Sequence, residues 1–250
     1  MTKFLDGKNE AEKIALFLEE SERLLGKSLV ILQCNGHTEE STYVRLKREM
    51  GERLGVIVSV LFAQNKEELL EMVKDANNDD SIDGILVQLP IVGADKQETE
   101  QILSSIAESK DVDGLNPKSS FVPAVVRAVE RTLEIFKISK GQTIAVVGAL
   151  GEVGNRMMKR LNALGYQIKG FDKGDDLADI KEYEVIIGAT GAEGLIKETM
   201  VRKGFVGIDL GYPKGDFDKE AMVMSSMMTP VPGGVGPMTI VSLFENLAEV

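Results

Sequence analysis

The chain has no tryptophan, one histidine (His37) and one cysteine (Cys34) in 250 residues. A lone thiol excludes an internal disulfide framework and a thiolate cluster. A lone imidazole without a second His or Cys partner offers no zinc-type ligand set, so no metal site is expected. Basic residues are also short: 29 Lys and Arg stand against 40 Asp and Glu, a formal net charge of -11. A nucleic-acid groove needs cations to neutralise the phosphate backbone, and no basic run supplies them. No apolar run approaches the roughly 20 residues of a membrane span. The opening MTKFLDGKNEAEK lacks the apolar stretch of a signal peptide. The expectation is a cytoplasmic, soluble protein with neither nucleic acid nor membrane as partner. The Gly-x-Ser-x-Gly elbow of α/β-hydrolases is missing too.

What remains is ordinary globular material, 43% hydrophobic and 28% charged. The 11 methionines, including the run MVMSSMM, read as fillers of core gaps. Helical composition over 9–25, 66–77 and 96–108 alternates with strand-like runs at Leu29–Gln33, Val56–Phe62 and Gly84–Leu89. A second block starts near Pro123, with a helix over 124–136 and strands at Thr143–Val147, Tyr166–Phe171, Val185–Ile187 and Phe205–Ile208. The closing MTIVSLFENLAEV reads as helix. This alternation predicts an α/β fold with mostly parallel sheets.

Three local patterns carry chemistry. In STYVRLKREMGERLG, Tyr43 and Lys47 are one helical turn apart and share a face. That spacing fits a solvated face with an aromatic anchor, and it fits a lysine held in a cleft. In TIAVVGALGEVGNRMMKRL, Gly148, Gly151 and Gly154 stand between an apolar strand and a helix. Glycines there permit a tight turn and close approach of backbone donors to phosphate. The strict G-x-G-x-x-G spacing is absent, and an ordinary turn between strand and helix fits equally. Asp172, 24 positions after Gly148, ends the next strand, where a carboxylate can accept from an adenosine ribose. A solvated turn aspartate is the alternative.

Taken together, YVRLK, GILVQLP, KDVDGLNP and TPVPGGVGPMT, in that order, resemble the bifunctional methylenetetrahydrofolate dehydrogenase/cyclohydrolase family. The resemblance spans nearly the whole chain. It implies a folate-binding catalytic domain over 1–122, a Rossmann-like cofactor domain over 123–236, and a last helix, 237–250, returning to the first domain. It implies an active site in the cleft between the domains and a homodimer formed through the cofactor domains. Lys47, Tyr43, Gln88 and Asp113 take the positions of the family's catalytic residues. Tyr43, Gln88 and Asp113, with Pro232, Gly233, Gly234 and Pro237, are the implied folate contacts. Gly148, Gly151, Glu152, Val153, Gly154, Asp172, Lys173, Thr190 and Gly191 are the implied contacts to NAD or NADP. The implied reactions are oxidation of methylenetetrahydrofolate and hydrolysis of the methenyl product to formyltetrahydrofolate. A protein with one of the two activities, or a folate- or nucleotide-binding protein without turnover, is the alternative.

The cofactor half departs from the family pattern. Its usual Gly-Arg-Ser opening is Gly148-Ala149-Leu150 here. Arg156 replaces a proline, Asp172 replaces a histidine, and FVPAVV replaces F-x-P-C-T-P. These changes favour NAD slightly over NADP, with Arg156 and Lys173 as the alternative partners of a ribose phosphate.

Overall fold

The computed structural model describes residues 2–36 and 39–250; His37 lies outside them. In chain order the elements are β1 (Lys3–Phe4), α1 (Gly7–Ser21), β2 (Ser28–Gln33), α2 (Thr42–Arg53), β3 (Ile57–Phe62), α3 (Lys66–Asn78), β4 (Gly84–Gln88) and α4 (Lys96–Ser104). There follow α5 (Ala124–Ile135), β5 (Thr143–Val147), α6 (Glu152–Ala163), β6 (Gln167–Phe171), β7 (Val185–Gly188), β8 (Val206–Asp209), α7 (Lys219–Met224), β9 (Met227–Met228) and α8 (Val235–Leu247). The chain divides into two compact units. The first holds Glu12–Ala124 and Ile240–Val250; the second holds the residues up to Ala11 and Val125–Thr239.

The first unit is built on a parallel sheet in the order β3-β2-β4. β2 reads SLVILQ and is buried on both faces, as a parallel strand covered by helices must be. Leu29, Ile31 and Leu86 point to a core completed by Ile240, Leu243, Phe244 and Leu247 of α8. Val30, Leu32, Ile85 and Val87 point to the other core, against Leu69, Val73, Ile102 and Leu103 of α3 and α4. α2 lies close over β3 because residue 51 is glycine: a Cβ there would come within 2.5 Å of Val58 Cγ2.

The second unit carries a six-stranded sheet, β1-β9-β8-β7-β5-β6, all parallel. Its core gathers Ala145, Val147, Phe171, Ile186, Phe205, Phe217 and Met228. The residues up to Ala11, which the sequence reading assigned to the first domain, fall in this unit. β1 pairs with β9, and the Thr2 hydroxyl donates to the Ser225 carbonyl at 3.0 Å. Two-residue strands are too short to leave a periodic signature, so neither β1 nor β9 was legible. Nor was the six-residue helix α7.

Both sheets reverse strand order once. β2 leads to β3 on one side while β4 pairs on its other side. β5 leads to β6 on one side while β7 pairs on its other. In open parallel sheets the crevice outside the carboxyl ends of the strands at such a reversal is where ligands bind.

Candidate active site

In the first unit the reversal lies between β2 and β4, and their last residues, Gln33 and Gln88, are in register. The buried Gln33 amide donates to the Glu39 carbonyl at 2.9 Å and accepts from the Ser41 N–H at 3.2 Å. This pins the approach to α2. Ser41 then caps the helix, its hydroxyl accepting from Val44 N–H. One turn further in, Lys47 is only 4% exposed. Its Nζ donates to Gln88 Oε1 at 3.0 Å and lies 5.1 Å from the centre of the Tyr43 ring. Gln88 Nε2 donates to the Leu89 carbonyl at 2.7 Å, which turns the oxygen of the amide towards the lysine. Burial pushes the Lys47 ammonium below its ordinary pKa, and the Asp113 carboxylate pulls in the opposite direction. Tyr43, Lys47, Gln88 and Asp113 are therefore brought together.

Asp113 is half-buried and belongs to a turn that its neighbours hold rigid. Gly114 has φ +70, and a Cβ there would come within 2.8 Å of Pro123. Asp111, wholly buried, accepts from Asn116 N–H at 2.8 Å. Its other oxygen has no hydrogen-bond partner among the described residues. Burial pushes its carboxyl up to about 6. Asn246 of α8 donates from Nδ2 to the carbonyls of Val112 and Val122 at 2.8 and 2.9 Å.

In the second unit the reversal lies between β5 and β7. The turn after β5 needs its glycines: Gly148 has φ +89, and a Cβ on Gly154 would overlap the Gly148 carbonyl oxygen. Gly151 starts α6 with no side-chain cap, so its orphan N–H groups remain for an anion. Glu152 and Val153 form the first turn of that helix. Asp172 accepts from Leu150 N–H at 2.8 Å and from Lys173 N–H at 2.9 Å, tying the tip of the turn to the end of β6. Arg156 turns back along its helix to Glu152, 2.6 Å away, and only 10% of its side chain is exposed. Lys173 is exposed. Thr190 and Gly191 follow β7, where the Thr190 N–H donates to Asp216 Oδ2 at 2.6 Å.

A family model described as the tetrahydrofolate dehydrogenase/cyclohydrolase catalytic domain matches residues 5–113. One described as the NAD(P)-binding domain of the same family matches residues 123–250. The chain belongs to the tetrahydrofolate dehydrogenase/cyclohydrolase family. It is 34% identical to the bifunctional protein FolD of Campylobacter jejuni, over 98% of this chain and 96% of that one. The crystal structure of the Campylobacter jejuni FolD enzyme superposes with a TM-score of 0.86 at 32% identity, covering 100% of this chain and 98% of that one. The Trypanosoma brucei dehydrogenase-cyclohydrolase, solved with NADP cofactor and inhibitor, gives 0.86 at 25% identity, covering 98% and 96%.

Within this dehydrogenase/cyclohydrolase fold, Pro232, Gly233, Gly234 and Pro237 sit in the second unit. Gly233 has φ +100, and Pro237 falls in the first turn of α8, where its missing N–H leaves no bond broken. A Cβ on Gly7 would overlap the Gly234 carbonyl oxygen and meet that of Gly233 at 2.7 Å. Sequence reasoning missed Gly7, Gln33, Asp111 and Asn246. Gly7 and Asn246 act on the backbone of distant segments, while Gln33 and Asp111 hold backbone groups of the loops that follow them. The signals on offer were the glycine after Asp6 and the first aspartate of KDVDG.

Proposed function

We infer that this protein oxidises methylenetetrahydrofolate with a nicotinamide dinucleotide and hydrolyses the methenyl product to formyltetrahydrofolate. The observation that carries the reading is a buried lysine held by a neutral amide, Lys47 on Gln88, in the family's catalytic domain. A carboxylate partner would keep that lysine charged; an amide oxygen accepts from it in either state. Desolvation favours the neutral amine, and a cationic methenyl substrate beside it adds to that preference.

In hydrolysis, water attacks the cationic methenyl carbon and Lys47 Nζ takes the proton released by the water. The same proton then passes to the ring nitrogen as its bond to that carbon breaks, and the remaining hydroxyl proton is released to solvent, leaving the neutral formyl group on the other nitrogen. Gln88 aims the lysine, Tyr43 lines the folate cleft beside it, and Asp113 bonds the polar edge of the pterin. Pro232, Gly233, Gly234 and Pro237 form the folate-facing wall.

The glycine turn at Gly148–Gly154 and the uncapped start of α6 suit a pyrophosphate. When bound there, the dinucleotide supplies the hydride acceptor. The chain's own part is to orient the two rings, with Glu152, Val153, Thr190 and Gly191 in the cofactor wall. NAD is favoured over NADP. The Asp172 carboxylate, placed for a ribose hydroxyl, repels a ribose phosphate, and Arg156 is engaged by Glu152. Lys173 is the counter-argument. As in the family resemblance, the working assembly is a homodimer through the cofactor unit, placed in the cytoplasm; among the described residues no helix is long and apolar enough to cross a membrane.

The test follows reduced dinucleotide from methylenetetrahydrofolate with NAD and NADP in parallel, and loss of methenyltetrahydrofolate in the same preparation. Both activities, with NAD faster, are expected. Hydrolysis without reduction of either dinucleotide would leave a single-activity cyclohydrolase.

A further inference from the structure

Two carboxylates are buried behind the cofactor face of the second unit with no basic partner. Asp209 ends β8 and is 2% exposed; Asp216, seven residues on, is 0% exposed. Neither forms an ion pair among the described residues. Asp209 Oδ1 accepts from the N–H groups of Gly211 and Asp216, both at 2.9 Å, and Oδ2 accepts from Phe217 N–H at 3.3 Å. Asp209 thus folds its own loop into a hook that delivers Asp216 to the neighbouring strand. There Asp216 Oδ2 accepts from Thr190 N–H at 2.6 Å. Its other oxygen, Oδ1, is buried without a hydrogen-bond partner among the described residues, and the Ala192 N–H donates to the Thr190 hydroxyl at 3.0 Å, continuing the turn.

The space for this arrangement is made by glycines. A Cβ on Gly188 would come within 3.0 Å of Asp216 Oδ2, and one on Gly211 within 2.8 Å of Oδ1. A Cβ on Gly215 would overlap the Asp209 carboxylate. Main-chain bonds lace the two loops further: Gly194 N–H to the Gly215 carbonyl at 2.9 Å and Ile196 N–H to the Asp216 carbonyl at 2.8 Å. A buried carboxylate without a cation is costly. Here it takes the Thr190 N–H from the turn that follows β7, at the strand-order reversal where this sheet offers its crevice.

We propose that Asp216 is a positioning residue for the dehydrogenase reaction: it fixes the Thr190–Ala192 turn so that this turn forms one rigid wall of the dinucleotide site. The proposal rests on the reading that the turns after β5 and β7 hold the dinucleotide. Asp216 touches neither substrate nor dinucleotide and acts through Thr190, with Asp209 holding it in place.

The experiment compares Asp216→Ala and Asp216→Asn with the native protein. It measures the KM for the dinucleotide, kcat for reduction, and hydrolysis of methenyltetrahydrofolate in the same samples. Asp216→Ala is expected to raise the dinucleotide KM about tenfold or more, the usual effect of losing a buried charge-assisted bond. Hydrolysis should persist, because Lys47 and Gln88, which carry the proton transfer, lie in the other unit. Asp216→Asn keeps an acceptor for Thr190 and should restore most of the KM. An unchanged KM in Asp216→Ala, or parallel loss of both activities, overturns the proposal. A second arm needs no variant: amide exchange in the native protein should be slow at Thr190, and rapid exchange there also overturns it. Native protein that binds neither dinucleotide would sink the underlying reading and the proposal together. Binding that survives unaltered in Asp216→Ala would sink the proposal alone.

Discussion

Lys47 Nζ and Gln88 Oε1 are 3.0 Å apart, a buried amine facing a neutral acceptor across the end of β4. The proposed hydrolysis depends on this relationship. Removing the amine while keeping its apolar stem, as in Lys47→Met, is expected to lower hydrolysis of methenyltetrahydrofolate by about 10²–10⁴, the usual worth of a positioned general base. Dinucleotide reduction should fall far less. Equal loss in both assays would show that Lys47 serves binding alone.

The neutrality of Gln88 is open to a direct test. Glu in its place pairs with Lys47 and stabilises the ammonium, raising the lysine pKa. Since hydrolysis needs the neutral amine, the acid limb of its pH–rate profile should move to higher pH in Gln88→Glu. A profile that keeps its position while only the rate changes would argue against a lysine base.

Gly7 and Gly234 are packed without room for a methyl group. Gly7→Ala must displace the loop that carries Pro232, Gly233 and Gly234, at a cost of about 1–3 kcal/mol for overpacking. The expected result is a lower denaturation midpoint and a raised KM for methylenetetrahydrofolate. A variant with native stability and native KM would show that the loop yields freely.

Asp172→Asn removes the charge but keeps an acceptor for Leu150 N–H. The ratio of kcat/KM for NADP to that for NAD should rise about tenfold, since roughly 1.4 kcal/mol of repulsion corresponds to that factor. An unchanged ratio would assign cofactor choice to other residues, with Lys173 first in line.

Asp111 links pH to stability. Its carboxyl is raised from 3.8 to about 6 in the folded chain by burial. Between these values the folded state binds more protons than the unfolded state, so stability falls as pH rises through that window. The contribution is at most about 3 kcal/mol. Asp209, also raised to about 6, adds in the same sense. Asp111→Asn cannot titrate and keeps an oxygen to accept from Asn116 N–H. Urea unfolding should show the variant gaining on the native protein between about pH 4 and about pH 7. A constant difference across that range would rule out the linkage.

Much of this molecule is written locally. The runs SLVILQ, TIAVV and VIIG carry continuous apolar stretches because strands of a covered parallel sheet have no solvent face. They are recognisable for that reason. The helix of Tyr43 and Lys47 follows from its periodicity, and the glycine turn from the need for positive φ and a close carbonyl. The motifs from YVRLK to PGGVGPMT were enough to indicate the family. Local composition alone left the lysine's environment open: a lysine on a helix face is usually solvated. Lys47 is buried because Gln33 pins the loop ahead of α2, Gly51 lets the helix down onto β3, and Gln88 closes over its end. The Lys47–Gln88 bond joins residues 41 positions apart, and no spacing rule encodes any of the three contacts. The same holds for Asn246 and Asp216, whose side chains bond backbone groups of segments distant in the chain, while Asp111 and Asp209 bond their own loops and are buried there by the fold. Residue types and their periods determined the elements and the chemistry available. The packing of parallel strands, which sets which loops meet at each reversal, decided where that chemistry is assembled.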